Sequence, residues 1–283
     1  MSAVPGGETG AMGVEGGGDP GGVGLERRVA LVRSRIARAA VAVGRDPGAV
    51  TLVAVTKTHP VAVAAAALRA GLTDLGENRV DELVERAAAL PGARWHLVGR
   101  LQGNKVRDAV GRATVIHSVD RPGLVDAIAR RAAAQGLVQA ILVQVNVGDD
   151  PAKGGCRLAE AEGLVAYARE HRGVRVEGLM TVPPLPPPGV DPLLAARPHF
   201  AALRELRDRL GSAPAPGEVP GGTERGLHLS MGMSQDLEAA VAEGATMVRI
   251  GTALLGPRPA AGDAPPGGPV PPRDRPLDEG HRS

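Results

Sequence analysis

Eight short apolar runs divide this chain, each set apart from the next by a stretch of helical character, and no hairpin signal joins any two of them. The runs cover 50–56, 73–76, 94–98, 113–117, 141–146, 174–179, 227–229 and 246–250. Helical spacing fills the intervals at 60–70, 79–90, 103–110, 122–135, 157–171, 193–210 and 234–243. A further helix at 25–43 places Leu25, Val29, Val32 and Ile36 on one face. Alternation of this kind predicts parallel strands joined by crossover helices, an α/β fold. Eight such units predict a closed (β/α)8 TIM barrel, here over 25–258. An open doubly wound sheet is the alternative, but no Gly-x-Gly-x-x-Gly turn follows the first strand.

The core of such a barrel has to be built from Ala, Val, Leu and Ile, because Trp95, Tyr167 and Phe200 are the only aromatic residues. A net charge of +2 gives no general case for binding nucleic acid or a membrane surface. No apolar stretch is long enough to span a bilayer, and the N-terminus lacks the basic-then-apolar pattern of a secretory signal. Cys156 is the sole cysteine, which excludes an internal disulfide and a thiolate metal cluster. A cytoplasmic monomer is the expectation. Residues 1–24, rich in Gly, and 259–283, rich in Pro and Gly, are expected to be disordered tails. Residues 211–225 read as a flexible loop, and the prolines between Pro183 and Pro192 exclude helix and central strand.

In a TIM barrel, function gathers at the C-terminal ends of the strands. The first strand ends in Lys57. A lysine held there is rigid and partly desolvated, which frees its amine to attack an aldehyde and form a Schiff base. A strand that merely ends in a solvated lysine is the blander alternative. The seventh and eighth strands run into Ser230-Met231-Gly232-Met233-Ser234 and Gly251-Thr252, where hydroxyls and backbone N–H groups could form a nest for a dianionic phosphate. Read apart from Lys57, the same residues cap a helix and make a turn. Arg249 lies inside an apolar run, and a buried guanidinium needs a partner. That partner is a barrel carboxylate such as Glu177 or Asp74, or else the ring nitrogen of pyridoxal 5'-phosphate (PLP).

Longer motifs join these residues. They are Val53-Ala54-Val55-Thr56-Lys57, Gly76-Glu77-Asn78, the segment from Trp95 to Lys105, and His117-Ser118-Val119-Asp120. Gly178-Leu179-Met180, the segment from Leu229 to Ser234, and Val248-Arg249-Ile250-Gly251-Thr252 complete the set. In this order they resemble the YggS/PROSC family of single-domain PLP homeostasis proteins, which are similar to the N-terminal barrel of alanine racemase. The resemblance covers roughly 25–258. It implies PLP carried as a Schiff base on Lys57, phosphate contacts at Ser230, Gly251 and Thr252, and a ring-nitrogen contact from Arg249. It places Asn78 and His96 near the cofactor and implies no metal. The loop from Asp149 to Gly154 matches a family segment with an equivalent lysine, here Lys153, a candidate for cofactor handling or equally a solvated loop residue. Three positions depart from the pattern: Arg79 where Tyr is common, Leu255 where Phe is common, and Cys156 in place of an aromatic. Each removes aromatic packing and none removes an implied ligand.

The resemblance implies a carrier that holds PLP and buffers it or delivers it to PLP-dependent apoenzymes, with no catalytic residue assigned. A single-domain amino-acid racemase with weak activity is the alternative. Racemisation needs a base on each face of the adduct. The only tyrosine, Tyr167, is expected mid-helix on the outside of the barrel. A barrel enzyme acting on a sugar phosphate is the third reading.

Overall fold

The computed structural model describes residues 23–211 and 226–256; the expected C-terminal tail, residues 1–22 of the expected N-terminal tail and most of the 211–225 loop lie outside them, and residues 23 and 24, expected in that tail, already belong to the first helix. The chain opens with helix α1 (Val23–Val41), followed by strand β1 (Thr51–Val55) and helix α2 (Val61–Arg69). Then come β2 (Asp74–Glu77), α3 (Val80–Ala89), β3 (Arg94–Leu97), the short α4 (Val106–Ala109), β4 (Val115–Val119) and α5 (Pro122–Ala134). The second half adds β5 (Gln139–Asn146), a two-residue β6 (Cys156–Arg157), α6 (Ala161–Arg169), β7 (Val174–Met180) and α7 (Pro192–Gly211). It ends with β8 (His228–Ser230), α8 (Leu237–Ala242), β9 (Met247–Ile250) and α9 (Thr252–Leu255).

Every strand pairing is parallel, and the order β1-β2-β3-β4-β5-β7-β8-β9 closes on itself through β1 and β9. The barrel therefore has the eight expected strands, and β6 is an extra edge paired only with β5. Of the boundaries that differ from expectation, three have a clear local cause. The fourth strand runs to Val119 rather than 117, because Ser118 and Val119 are fully buried between β3 and β5. The helix expected from 157 begins at Ala161, since Arg157 is drawn into the β5 pairing. The helix expected from 234 begins at Leu237, because the Asp236 carboxylate accepts the Met233 N–H at 2.5 Å and holds 234–236 as a turn.

Alternation along the strands sorts two cores. Ala54, Leu75, Ile116, Ile141 and Leu179 face the helices and join α1 to α8 in one apolar layer, in which Phe200 is fully buried. Inside the barrel, Val115, Ala140, Leu142, Met180 and Met247 make a smaller apolar plug. The inner residues not in that plug are largely polar, and they lead to the site. Among the described residues, no helix is long and apolar enough to cross a membrane.

Candidate active site at the barrel mouth

A cavity of about 520 Å³ opens at the C-terminal ends of the strands. Lys57, in the turn after β1, and Asn78, after β2, form one side of it. Arg249 of β9 and Ser234, Gly251 and Thr252 line it as well, and β9 pairs directly with β1, so the Gly251 turn lies beside the end of the Lys57 strand. Five of the seven residues expected at the cofactor thus line one cavity. Lys153 lines it too, and so does a wall of Pro183, Pro184, Leu185 and Pro186. That wall has no signal in the sequence beyond its irregularity, because only the tertiary fold lays it over the mouth.

Two glycines allow the close approaches. A Cβ at Gly99 would lie 2.1 Å from the Asn78 carbonyl oxygen, so only glycine lets β3 end against the Asn78 turn. Gly232 has φ +94°, and a Cβ there would lie 2.5 Å from that of Ala240, so the Ser234 turn needs glycine on both counts. Arg35 of α1 donates to the Ser234 carbonyl (3.1 Å) while pairing with Glu238 (2.6 Å), which secures this turn from outside.

Ser230 and His96, both expected at the cofactor, do not reach the cavity wall. Alternation turns both into the barrel, where they belong to one buried chain of hydrogen bonds. Arg249 Nη1 donates to Ser230 Oγ (2.7 Å) and Nη2 to the Thr181 carbonyl (2.8 Å). Ser230 Oγ lies 2.9 Å from His117 Nδ1, His117 Nε2 lies 2.9 Å from His96 Nδ1, and His96 Nε2 lies 3.0 Å from Asp74 Oδ1. Asp74 can only accept when ionised, so His96 carries its proton on Nε2. His117 donates from Nε2 to His96 and accepts the Ser230 hydroxyl at Nδ1. The opposite order would leave the buried Ser230 O–H without an acceptor. All donors therefore point from Arg249 toward Asp74. The Ser230 hydroxyl is engaged on both sides, so the side-chain hydroxyls at the cavity are those of Ser234 and Thr252.

Burial, reinforced by the charged guanidinium of Arg249, drives His117 well below its ordinary range and keeps it neutral. Burial lowers Arg249 to about 10 against the opposing pull of Asp236, so its guanidinium remains charged. Neither carboxylate considered from sequence partners it. Glu177 accepts from Arg175 (3.0 Å), and Asp74 from Arg94 (2.8 Å). Burial would raise Asp74, but hydrogen bonds from His96 and Arg94 outweigh it and hold the carboxyl at about 2. Cys156 is buried and its thiol is pushed up to about 12 by burial and by Glu160, so it is not a thiolate site.

The residues present suit pyridoxal phosphate. An amine, two hydroxyls, a glycine backbone and a buried guanidinium line one cavity. A parallel barrel with such a mouth defines the class, and the sequence matches it: residues 32–259 fit the model of the alanine racemase N-terminal domain. The alanine racemase of Corynebacterium glutamicum superposes with a TM-score of 0.62 at 16% identity, covering 84% of this chain and 63% of that one, and shares the fold. A pyridoxal phosphate homeostasis protein of Aquifex aeolicus is 42% identical over 233 residues, 82% of this chain and 97% of its own. PipY of Synechococcus elongatus, solved with PLP bound, has a TM-score of 0.67 at 35% identity over 82% of this chain and 100% of its own. The chain belongs to the pyridoxal phosphate homeostasis protein family.

Proposed function

We propose that this protein binds pyridoxal phosphate covalently at Lys57 and serves PLP homeostasis, holding the cofactor and buffering or delivering it. The observation that carries this reading is the convergence of Lys57, Arg249, Ser234, Gly251 and Thr252 on one cavity of about 520 Å³. When bound, PLP supplies an aldehyde that a lysine amine captures reversibly. Lys57 provides that amine from a strand end. Ser234, Gly251 and Thr252 would hold the phosphate, and Arg249 would meet the ring nitrogen. A guanidinium does not give up its proton, so beside that nitrogen it would leave the nitrogen unprotonated and the ring a weak electron sink. This favours holding the cofactor over carbanion chemistry.

The racemase alternative lacks a partner base of the usual kind. Tyr167 sits on α6 and donates to Asp126 (2.7 Å), away from the residues that line the cavity. His96 is committed to Asp74 and His117. The reading is therefore a carrier without catalytic turnover, acting as a cytoplasmic monomer whose recipients are PLP-dependent apoenzymes.

The visible spectrum of the purified protein, taken before and after borohydride and followed by peptide mapping, tests it. A yellow protein whose reduced adduct maps to Lys57 is expected, and Lys57→Ala should remain folded and colourless. A wild-type protein that PLP cannot colour would sink the cofactor assignment. Ser234→Ala with Thr252→Val should weaken PLP retention by about 1–3 kcal/mol for each charged hydrogen bond lost, measured by equilibrium dialysis.

A further inference from the structure

Behind Lys57 lies a buried cluster that the cavity does not include. Arg86 of α3 is 5% exposed, and its guanidinium reaches back under the turn that follows β1. Nη1 donates to the Thr56 carbonyl (2.9 Å) and Nη2 to the His59 carbonyl (2.6 Å). The two acceptors flank Lys57 and Thr58, so one planar group holds both ends of the turn that presents the lysine. Within that turn the His59 N–H donates to the Thr56 carbonyl (3.1 Å). Thr58 has φ +65°, a left-handed conformation that a β-branched residue adopts only when its surroundings impose it. The guanidinium is in turn held by Glu77, the last residue of β2, whose carboxylate also accepts from the Thr56 hydroxyl. Glu77 directly precedes Asn78, which lines the cavity, so the same pair ties the first and second strand ends together.

We propose that Arg86, fixed by Glu77, is the positioning residue for Lys57. It locks the left-handed turn and so sets the direction from which the lysine amine enters the cavity. The inference rests on the reading that Lys57 captures PLP. A planar fork can serve two carbonyls and a carboxylate in fixed geometry, which a lysine at the same place cannot. The α3 helix thereby acts on the site through the backbone, without touching the cavity.

The test compares wild type, Arg86→Lys and Arg86→Met in two measurements. The first is amide hydrogen exchange across 56–59 in protein without PLP; the second is PLP capture followed by absorbance and borohydride trapping at Lys57. Arg86→Met is expected to melt cooperatively, to exchange faster at His59, and to hold PLP about ten- to a hundredfold more weakly. Arg86→Lys should recover part of both. If Arg86→Met does not fold, Arg86→Lys, which keeps a cation opposite Glu77, carries both comparisons. Wild-type exchange in the variants would overturn the proposal, and so would faster exchange with unchanged PLP capture, since Arg86 would then only brace the fold. Failure of the wild type itself to capture PLP would remove the reading of Lys57, while the exchange comparison would still decide whether Arg86 locks the turn.

Discussion

Asp74 and Glu77 stand three residues apart on β2, both buried, and meet opposite fates. Asp74 is held at about 2, whereas burial, resisted by Thr56 and Arg86 and aided by Glu82, pushes Glu77 up to about 7. Their odd spacing sends the side chains to opposite faces of the sheet. Asp74 turns into the barrel base and is met by donors alone: Arg94 at 2.8 and 2.5 Å and His96 at 3.0 Å. Glu77 turns outward beneath α3, where its one cation is shared with two backbone carbonyls and a second carboxyl, Glu82, lies against it. One oxygen of each of these glutamates is buried without a partner. The number and sign of the groups that meet a carboxylate decide its charge, and depth alone does not. The base network thus secures a fixed negative end for the relay from Arg249, while the Glu77 bracket holds the Lys57 turn with a group poised to take up a proton.

The largest expected effect comes from breaking the bracket. Arg86→Met should lower unfolding free energy by about 3–5 kcal/mol at pH 8, because it strands Glu77 without its cation. At pH 5 the loss should be smaller, since Glu77 is then protonated. Denaturant titrations at the two pH values check this, and an equal loss at both would erase the contrast with Asp74. Asp74→Ala should cost less, about 1–3 kcal/mol, because Arg94 is 60% exposed at its side chain and returns to water. That loss should be the same at pH 5 and pH 8, where Asp74 is ionised throughout.

A smaller effect sharpens the comparison through pH alone. A carboxyl raised on folding binds its proton more tightly in the native state, so its contribution is full below the unfolded value of 4.5 and is lost as pH rises through about 7. Asp74 behaves oppositely: its contribution is full above 3.8 and is lost as pH falls through about 2. Glu77→Gln should therefore flatten the decline of stability between pH 4.5 and 7. The amide keeps an acceptor for Arg86 and offers Glu82 a donor. Thermal melts across that range read the slope, and an unchanged slope would show that another group titrates there.

The eight-strand alternation was legible because burial on both faces forces parallel strands into near-continuous apolar runs, and the crossovers between them are helical in spacing. Lys57, Asn78, Arg249, Gly251 and Thr252 were legible because strand ends of such a barrel converge on one mouth. Ser230 and His96 lie off the cavity wall for a definite reason. Their motif positions are right for the mouth, but the pleat turns each side chain inward, where a polar partner already waits. Ser234, which as a sequence position reads as a helix cap, lines the cavity instead, because Asp236 delays the start of α8. Arg86 gave no sign, being one of many arginines in the chain and set on an ordinary amphipathic helix.

By itself, then, the sequence determined the barrel, the order of its elements and the chemistry available at their ends, since periodicity and residue type are local properties. Which hydroxyl reaches the cavity, which carboxylate keeps its proton and which arginine holds the lysine turn were decided only in the tertiary structure. Each depends on what lies across a strand or beneath a helix, and those neighbours can be far off in the chain: 27 and 30 residues for Arg86, 21 and 113 for His117.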